Sequence, residues 1–178
     1  MIKIMIGVVI VTVLVIGTFL ILDPNSGLTS TAGTVATVNE NEFKYSVTGE
    51  VNNPGTYTLD EGATMIDLIE AAGGTTVKAD QRAYYETATL VAGNSYYIAS
   101  LYAESDICGN QELDKYNINT DSAETLAELD AIGPSIANNI VSYREVNGYF
   151  ATIEDVQLVS GIKSGKFATL KRYIILHE

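Results

Sequence analysis

The sequence predicts a multi-domain protein with an N-terminal transmembrane helix, a small α+β domain and an all-α domain. Three observations along the 178-residue chain predict this order. Residues 4–22 contain no charged side chain, residues 43–51 alternate between apolar and polar side chains, and residues 122–176 contain one helical pattern twice. These patterns are typical of a membrane span, of a strand with one buried face, and of a duplicated helical hairpin, respectively.

The first element is a predicted membrane anchor, residues 1–22. Its uncharged stretch from Ile4 to Leu22 has nineteen residues, and a helix of that length is close to the ~30 Å of a bilayer core. Lys3 precedes the stretch and Asp23 follows it, so the positive-inside rule places the bulk of the chain outside the cell membrane. The alternative is a cleaved signal peptide, whose apolar region is usually shorter, about 7–15 residues.

Residues 23–41 are predicted to be a flexible linker. They are rich in Thr, Ser, Gly and Asn and show no apolar period, which is the composition of a chain that stays extended and mobile. Such a tether would give the domains that follow it reach away from the membrane surface.

Residues 42–100 are predicted to form the small α+β domain. The alternation from Phe43 to Val51 indicates a half-buried strand, and the turn residues Asn52–Gly55 end it. The other predicted elements are a strand at 56–59, a helix at 64–72 closed by glycines 73 and 74, and strands at 84–91 and 95–100.

A second linker is predicted at residues 101–115, which lack any period. It contains Cys108, the single cysteine of the chain. An intrachain disulfide and a cysteine-based zinc site are therefore excluded.

The all-α domain, residues 116–178, is predicted from the repeat, whose two copies lie thirty positions apart. The matching positions are Ser122 and Thr152, Leu126 and Val156, Leu129 and Val159, Ile132 and Ile162, Ile140 and Leu170, and Tyr143 and Tyr173. Each copy predicts a short helix with Ser122 or Thr152 as its N-cap, a tight turn and a longer helix. A plain four-helix fold is the alternative, but the register between the copies favours a duplicated functional unit.

The helix after each turn directs free backbone N–H groups and the positive end of its dipole outward, which suits a phosphate group. Two such sites on one unit suit a nucleic-acid backbone, whose phosphates are regularly spaced. We expect contacts to phosphates rather than base edges, and therefore binding that ignores base sequence. The residues expected to bind DNA are Ile132, Gly133, Pro134, Ser135, Gly161, Ile162, Lys163, Ser164, Gly165, Lys166, Lys171 and Arg172.

Charge is the main objection to a DNA ligand. The chain has 10 basic and 22 acidic residues, a net charge of −12, which repels DNA at long range. However, residues 159–176 contain four basic side chains and no acidic one. Because salt screens charges beyond about 8 Å, this local patch matters more than the total.

The sequence does not predict an enzyme. Its single histidine, His177, stands at the C-terminus, where chains usually fray. No nucleophile and base, phosphate-binding loop or carboxylate cluster has the spacing of a known motif. No cofactor and no metal site are predicted.

Five short motifs lie in order in the helical part: Tyr-Asn-Ile-Asn-Thr from Tyr116, Ile-Gly-Pro-Ser from Ile132, Ser-Tyr-Arg-Glu-Val-Asn-Gly-Tyr-Phe from Ser142, Ile-Glu-Asp-Val from Ile153 and Val-Ser-Gly-Ile from Val159. With them, residues 116–176 resemble the tandem helix-hairpin-helix domain of ComEA-type competence proteins. The resemblance implies a membrane-anchored receptor that binds double-stranded DNA outside the cell during natural transformation. It also implies a DNA-uptake channel as a partner.

The stretch Val47–Tyr57, Val-Thr-Gly-Glu-Val-Asn-Asn-Pro-Gly-Thr-Tyr, is similar to the opening of a β-grasp domain of the SLBB type. Competence proteins of Gram-positive bacteria carry such a domain between the anchor and the DNA-binding domain. The resemblance raises self-association through residues 42–100 as an expectation. A generic α+β domain without a ligand is the alternative.

The first hairpin departs from the family pattern. Ala131 stands where relatives have glycine, Asp130 lies beside the turn, Ile136 stands where lysine is common, and Lys163 replaces a glycine of the second turn. We therefore expect weaker binding per molecule, which several copies on one DNA would offset. Two other interpretations stay open: a helical domain that has lost DNA binding and contacts proteins, and a β-grasp domain that binds a polysaccharide or small molecule.

Overall fold

The computed structural model describes residues 42–103 and 111–178, all within the unit Asn39–Glu178. The predicted anchor at 1–22, the predicted linker at 23–41 and Cys108 lie outside the described residues. Across the two described ranges, no helix is long and apolar enough to cross a membrane.

A three-stranded sheet forms the first part of the fold, with strand order β2-β1-β3. Strands β1 (Glu42–Gly49) and β2 (Gly55–Asp60) pair in antiparallel register, and β3 (Ser95–Ile98) runs parallel to β1. Tyr45 and Val47 point into the core, as the alternation predicts. The predicted strands at 56–59 and 95–100 are confirmed, the second two residues shorter.

Helix α1 (Met65–Ala71) packs on this sheet and confirms the predicted helix. The backbone N–H of Thr64 donates to the Asp67 carboxylate at 2.7 Å, so the N-terminus of the helix is capped from within. A 3-10 helix follows at Gln81–Ala83. The buried face of α1 consists of Met65, Leu68 and Ile69.

The predicted strand at 84–91 is wrong. Its backbone bonds to the start of α1 instead of to a neighbouring strand: the Met65 N–H donates to the Ala88 carbonyl at 2.9 Å, and the Leu90 N–H to the Ala63 carbonyl at 2.8 Å. Tyr84, Ala88 and Leu90 of this segment are buried, which produced the strand-like pattern, but they fill the core from an irregular loop.

The second part of the fold is built on the two helical hairpins. The first consists of α2 (Ala123–Leu126) and α3 (Pro134–Asn147), and the second of a 3-10 helix (Ile153–Leu158) and α4 (Ser164–Leu170). The repeat is confirmed by burial, since four matching pairs lie in one core: Leu126 and Val156, Leu129 and Val159, Ile132 and Ile162, and Ile140 and Leu170.

Both predicted N-caps are confirmed. The Ser122 hydroxyl accepts a hydrogen bond from the Thr125 N–H at 3.2 Å. The Thr152 N–H donates to the Asp155 carboxylate at 2.9 Å, the reciprocal half of a capping box.

The second copy differs from the first because its long helix ends early. The chain turns after α4 into β5 (Ile174–Ile175), which pairs in parallel with β4 (Tyr116–Asn117). The predicted all-α domain therefore contains a two-stranded parallel sheet, and its second long helix has seven residues, whereas the first has fourteen. The carbonyls of Tyr173 and Ile175 accept hydrogen bonds from the Tyr116 and Ile118 N–H groups at 2.8 and 3.1 Å, and the Leu176 N–H donates to the Arg82 carbonyl at 2.8 Å.

The C-terminus is not frayed, contrary to the prediction. The Tyr85 hydroxyl donates to the Leu176 carbonyl at 3.0 Å, and the His177 ring stacks on Tyr85 with centroids 4.8 Å apart. The end of the helical part is thus fixed to the sheet-containing part.

The segment predicted as the second linker pairs with itself at its two ends. Tyr102 and Glu112 form a β-bridge, and the Leu113 N–H donates to the Leu101 carbonyl at 2.9 Å. Residues 104–110 between them lie outside the described residues.

Candidate nucleic-acid interface

The first turn presents the N-terminus of α3 at the surface. Ile132 is buried, which fixes the turn to the core, whereas Gly133, Pro134 and Ser135 are exposed. The helical hydrogen-bond ladder begins when the Ile136 N–H donates to the Gly133 carbonyl at 2.9 Å. The N–H groups of Gly133 and Ser135 precede that ladder, and proline has none, so two donors face outward.

The second turn repeats this arrangement at the N-terminus of α4. Ile162 is fully buried, and Lys163, Ser164 and Gly165 are exposed. The first helical hydrogen bond runs from the Phe167 N–H to the Lys163 carbonyl at 2.9 Å. The N–H groups of residues 164–166 therefore lie ahead of the ladder and remain available to an anion.

The backbone conformation of the second turn requires glycine at position 161. Its φ is +94°, and no non-glycine residue among those described has a positive φ. A Cβ at Gly161 would lie 3.2 Å from Cγ1 of Ile136. Ala131, the matching residue of the first turn, adopts ordinary negative φ, so the two turns have different backbone conformations.

The two turns contact each other through α3. The Asn139 side-chain Nδ2 donates to the Ser160 carbonyl at 3.0 Å, and Ile136 packs against Gly161. Sequence analysis did not select Asn139. The available signal was a polar residue three positions after Ile136, on the side of α3 that the apolar stripe marks as buried.

The charges beside the two turns are opposite in sign. Glu128 and Asp130 are exposed at the first turn, whereas Lys163 is exposed and Lys166 half-buried at the second. The carboxylates oppose the positive end of the α3 dipole, and the lysines reinforce that of α4. The second turn is the stronger anion site on electrostatic grounds.

The structure does not bring all predicted DNA-binding residues together. Lys171 caps the far end of the helix that Lys163 begins, about 12 Å along the helix axis at 1.5 Å per residue. The Lys171 Nζ lies 4.0 Å above the centre of the Tyr97 ring, and the Arg172 carbonyl accepts a hydrogen bond from Lys115. Both belong to the junction with the sheet-containing part, and the remaining predicted residues line the two turns.

Metal chemistry has no visible basis in residues 42–103 and 111–178. No group of three or more His, Cys, Asp or Glu side chains in these ranges could hold a metal ion.

Comparisons with known proteins agree with this architecture. Residues 112–175 match the family described as "Helix-hairpin-helix motif", and residues 44–99 match the family described as "SLBB domain". The chain is 36% identical over 137 residues to the ComE operon protein 1 of Bacillus subtilis (strain 168), an alignment that covers 72% of this chain and 67% of that protein.

Shorter similarities extend to animal proteins. The chain is 42% identical over 67 residues to the endonuclease/exonuclease/phosphatase family domain-containing protein 1 of Danio rerio and of Homo sapiens. These alignments cover 38% of this chain but only 12% and 11% of the two relatives. The similarity therefore concerns a small part of those proteins.

Proposed function

We propose that this chain, which belongs to the ComEA-type competence proteins, binds double-stranded DNA for uptake during natural transformation. It contacts the phosphate backbone and binds without sequence specificity. The observation that carries the proposal is the second turn. There, exposed N–H groups at the start of α4 coincide with Lys163 and Lys166, and both features attract phosphate.

The proposed arrangement is a receptor outside the cell. Residues 1–22 anchor it in the membrane with the N-terminus in the cytoplasm, and residues 23–41 tether the DNA-binding part. A DNA-uptake channel receives the DNA, and the SLBB domain supports self-association. Several tethered copies on one DNA raise the overall affinity without new contacts, which offsets the net charge of −12.

The proposal is tested by measuring the affinity of the full chain for two duplexes of unrelated sequence at several salt concentrations. We expect equal affinity for both duplexes and a fall in affinity with rising salt. In a plot of the logarithm of the association constant against the logarithm of the salt concentration, the slope should be about −0.9 for each phosphate engaged. A strong preference for one duplex, or no binding at low salt, would contradict the proposal. The second outcome would favour a protein- or polysaccharide-binding role.

The double variant Lys163→Glu/Lys166→Glu locates the contact. We expect it to abolish binding, because it reverses both charges beside the second turn. The matched control is Lys44→Glu/Lys78→Glu, which changes net charge equally at two exposed lysines of the SLBB domain. If both double variants lower affinity equally, net charge rather than the second turn governs binding.

A further inference from the structure

The two hairpins differ in what their turns can offer a phosphate. The first has exposed Glu128 and Asp130 and no basic side chain between residues 116 and 143. The second has Lys163 and Lys166 and the glycine-dependent turn at Gly161. The duplication has therefore left one hairpin suited to an anion and one that is poorly suited to it.

Helix α3 of the first hairpin instead contacts the turn of the second. Ile136 and Asn139 are three residues apart and lie on one face of this helix. Ile136 packs so closely on Gly161 that a Cβ there would stand 3.2 Å from its Cγ1 and 3.5 Å from its Cδ1. One helical turn further, the Asn139 Nδ2 holds the Ser160 carbonyl at 3.0 Å.

We propose that the first hairpin is a brace for the second, with Ile136 and Asn139 as positioning residues that fix the Gly161 turn and so orient the N-terminus of α4. The proposal rests on the proposed DNA binding. An anion site gains affinity when its donors are held in place before the ligand arrives. The apolar contact and the hydrogen bond constrain the turn on two sides, and Lys163 follows it by two residues.

The variant Asn139→Ala tests the hydrogen bond without changing charge. We expect the affinity of the full chain for random-sequence duplex to fall about fivefold, the effect of one neutral hydrogen bond. Asn138→Ala is the matched control, because Asn138 is exposed on the same helix. We expect that control to bind like the unchanged chain. Equal affinity of Asn139→Ala and Asn138→Ala would overturn the proposal.

The variant Ile136→Lys distinguishes the effect of packing on Gly161 from the effect of added positive charge. It adds a positive charge beside the DNA-binding face but removes the packing on Gly161. Asn138→Lys adds the same charge without touching Gly161. We expect Ile136→Lys to bind DNA at least about tenfold more weakly than Asn138→Lys. The affinity lost when the N–H groups of the second turn are no longer held in place should exceed the affinity gained from one added charge. Equal or tighter binding by Ile136→Lys would overturn the proposal.

Amide hydrogen exchange gives a readout that does not depend on DNA. The Ile162 N–H donates to the Val159 carbonyl at 3.1 Å, and the Ile132 N–H donates to the Leu129 carbonyl at 2.7 Å. In Asn139→Ala we expect faster exchange at Ile162 and unchanged exchange at Ile132, because only the second turn loses a constraint. If the unchanged chain binds no DNA, the proposed function fails while this exchange difference still decides whether the brace exists.

Discussion

The carboxylate of Glu154 accepts a hydrogen bond from the backbone N–H of Tyr97, with Oε1 2.8 Å from the nitrogen. Tyr97 lies in β3, an edge strand of the sheet, whereas Glu154 lies in the 3-10 helix Ile153–Leu158. A side chain of the helix-hairpin-helix domain thus covers an N–H group on the sheet edge. The other oxygen, Oε2, is buried and has no hydrogen-bond partner among the described residues.

This contact predicts that stability falls as pH rises. Burial chiefly, and also the charge of Asp155, outweigh the hydrogen bonds to the carboxylate and the charge of Lys171, so that the pKa of Glu154 is raised from 4.5 to about 7. The folded chain therefore keeps a proton up to about pH 7 that the unfolded chain releases near pH 4.5. The contribution of protonated Glu154 to the free energy of unfolding is at its full value below pH 4.5 and is lost by about pH 7. Urea denaturation at a series of pH values measures it.

The variant Glu154→Gln removes the titration while keeping the shape of the side chain. At about 1.4 kcal/mol per pKa unit between 4.5 and about 7, the upper limit of the effect is about 3–4 kcal/mol. Relative to the unchanged chain, we expect the free energy of unfolding of Glu154→Gln to increase by up to this amount between pH 4.5 and 8. Glu145→Gln, at an exposed site of the same domain, is the control. Parallel pH curves for all three proteins would contradict the assignment.

Two glycines four residues apart are predicted to respond to alanine with opposite signs. Gly161 has φ +94° and faces Ile136, whereas a Cβ at Gly165 would meet nothing within 4 Å. Gly161→Ala should lower the free energy of unfolding by about 2 kcal/mol, because alanine is strained at positive φ. Gly165→Ala, inside α4, should raise it by about 0.5–1 kcal/mol. Thermal denaturation of both variants compares them, and a stable Gly161→Ala would contradict the observed turn.

The helical repeat was predictable because local periodicity and burial agree in it. Leu126, Leu129 and Ile132 recur at helical spacing and all enter the core. The strand predicted at 84–91 was wrong for the opposite reason: Tyr84 and Leu90 are buried, but their backbone partners lie far away in sequence. The pattern of apolar residues indicates which side chains are buried. Whether the segment forms a strand depends on hydrogen bonds to another strand, which that pattern does not specify.

The turns of the candidate site were predictable from local sequence, but their mutual arrangement was not. Gly161 and Ile162 mark a turn by residue type alone. The contacts of Asn139 with Ser160 and of Glu154 with Tyr97 join residues 21 and 57 positions apart. Such pairings depend on how whole elements pack. Because no periodic pattern marks these positions, the pairings could not be predicted from a single sequence.

Asn119 is predicted to be a main determinant of stability in the helix-hairpin-helix domain. Its Nδ2 donates to the carbonyls of Phe150 and Leu176, each at 3.1 Å, and its Oδ1 accepts the Phe150 N–H at 2.8 Å. Asn119→Ala removes the side-chain partner of the buried Phe150 N–H and carbonyl and one of two hydrogen bonds to the Leu176 carbonyl, at a cost of about 2–4 kcal/mol. Chemical denaturation should show this loss, whereas Asn138→Ala should change stability by less than about 0.5 kcal/mol. Similar values for the two variants would contradict the role of Asn119.

The junction between the domains contains a buried ion pair that involves Lys115. Its Nζ donates to the carbonyls of Ser100 and Arg172 at 2.6 and 2.7 Å and lies 3.4 Å from Oδ2 of Asp80. Burial lowers the pKa of Lys115, and the charge of Asp80 acts against that. Burial alone would raise the pKa of Asp80, but hydrogen bonds from Arg82 and the charge of Lys115 hold it below 3.8.

Removing the charge of Asp80 alone should therefore be more harmful than removing both charges. Asp80→Asn leaves Lys115 buried with a net charge, which costs about 3–5 kcal/mol, whereas Asp80→Asn/Lys115→Met removes that uncompensated charge and should recover part of the loss. Asp114→Asn, at an exposed aspartate next to Lys115, is the control and should be nearly neutral. Chemical denaturation of the four proteins forms the comparison. If the double variant is less stable than Asp80→Asn, Lys115 stabilises the junction through its two carbonyl contacts rather than through the ion pair.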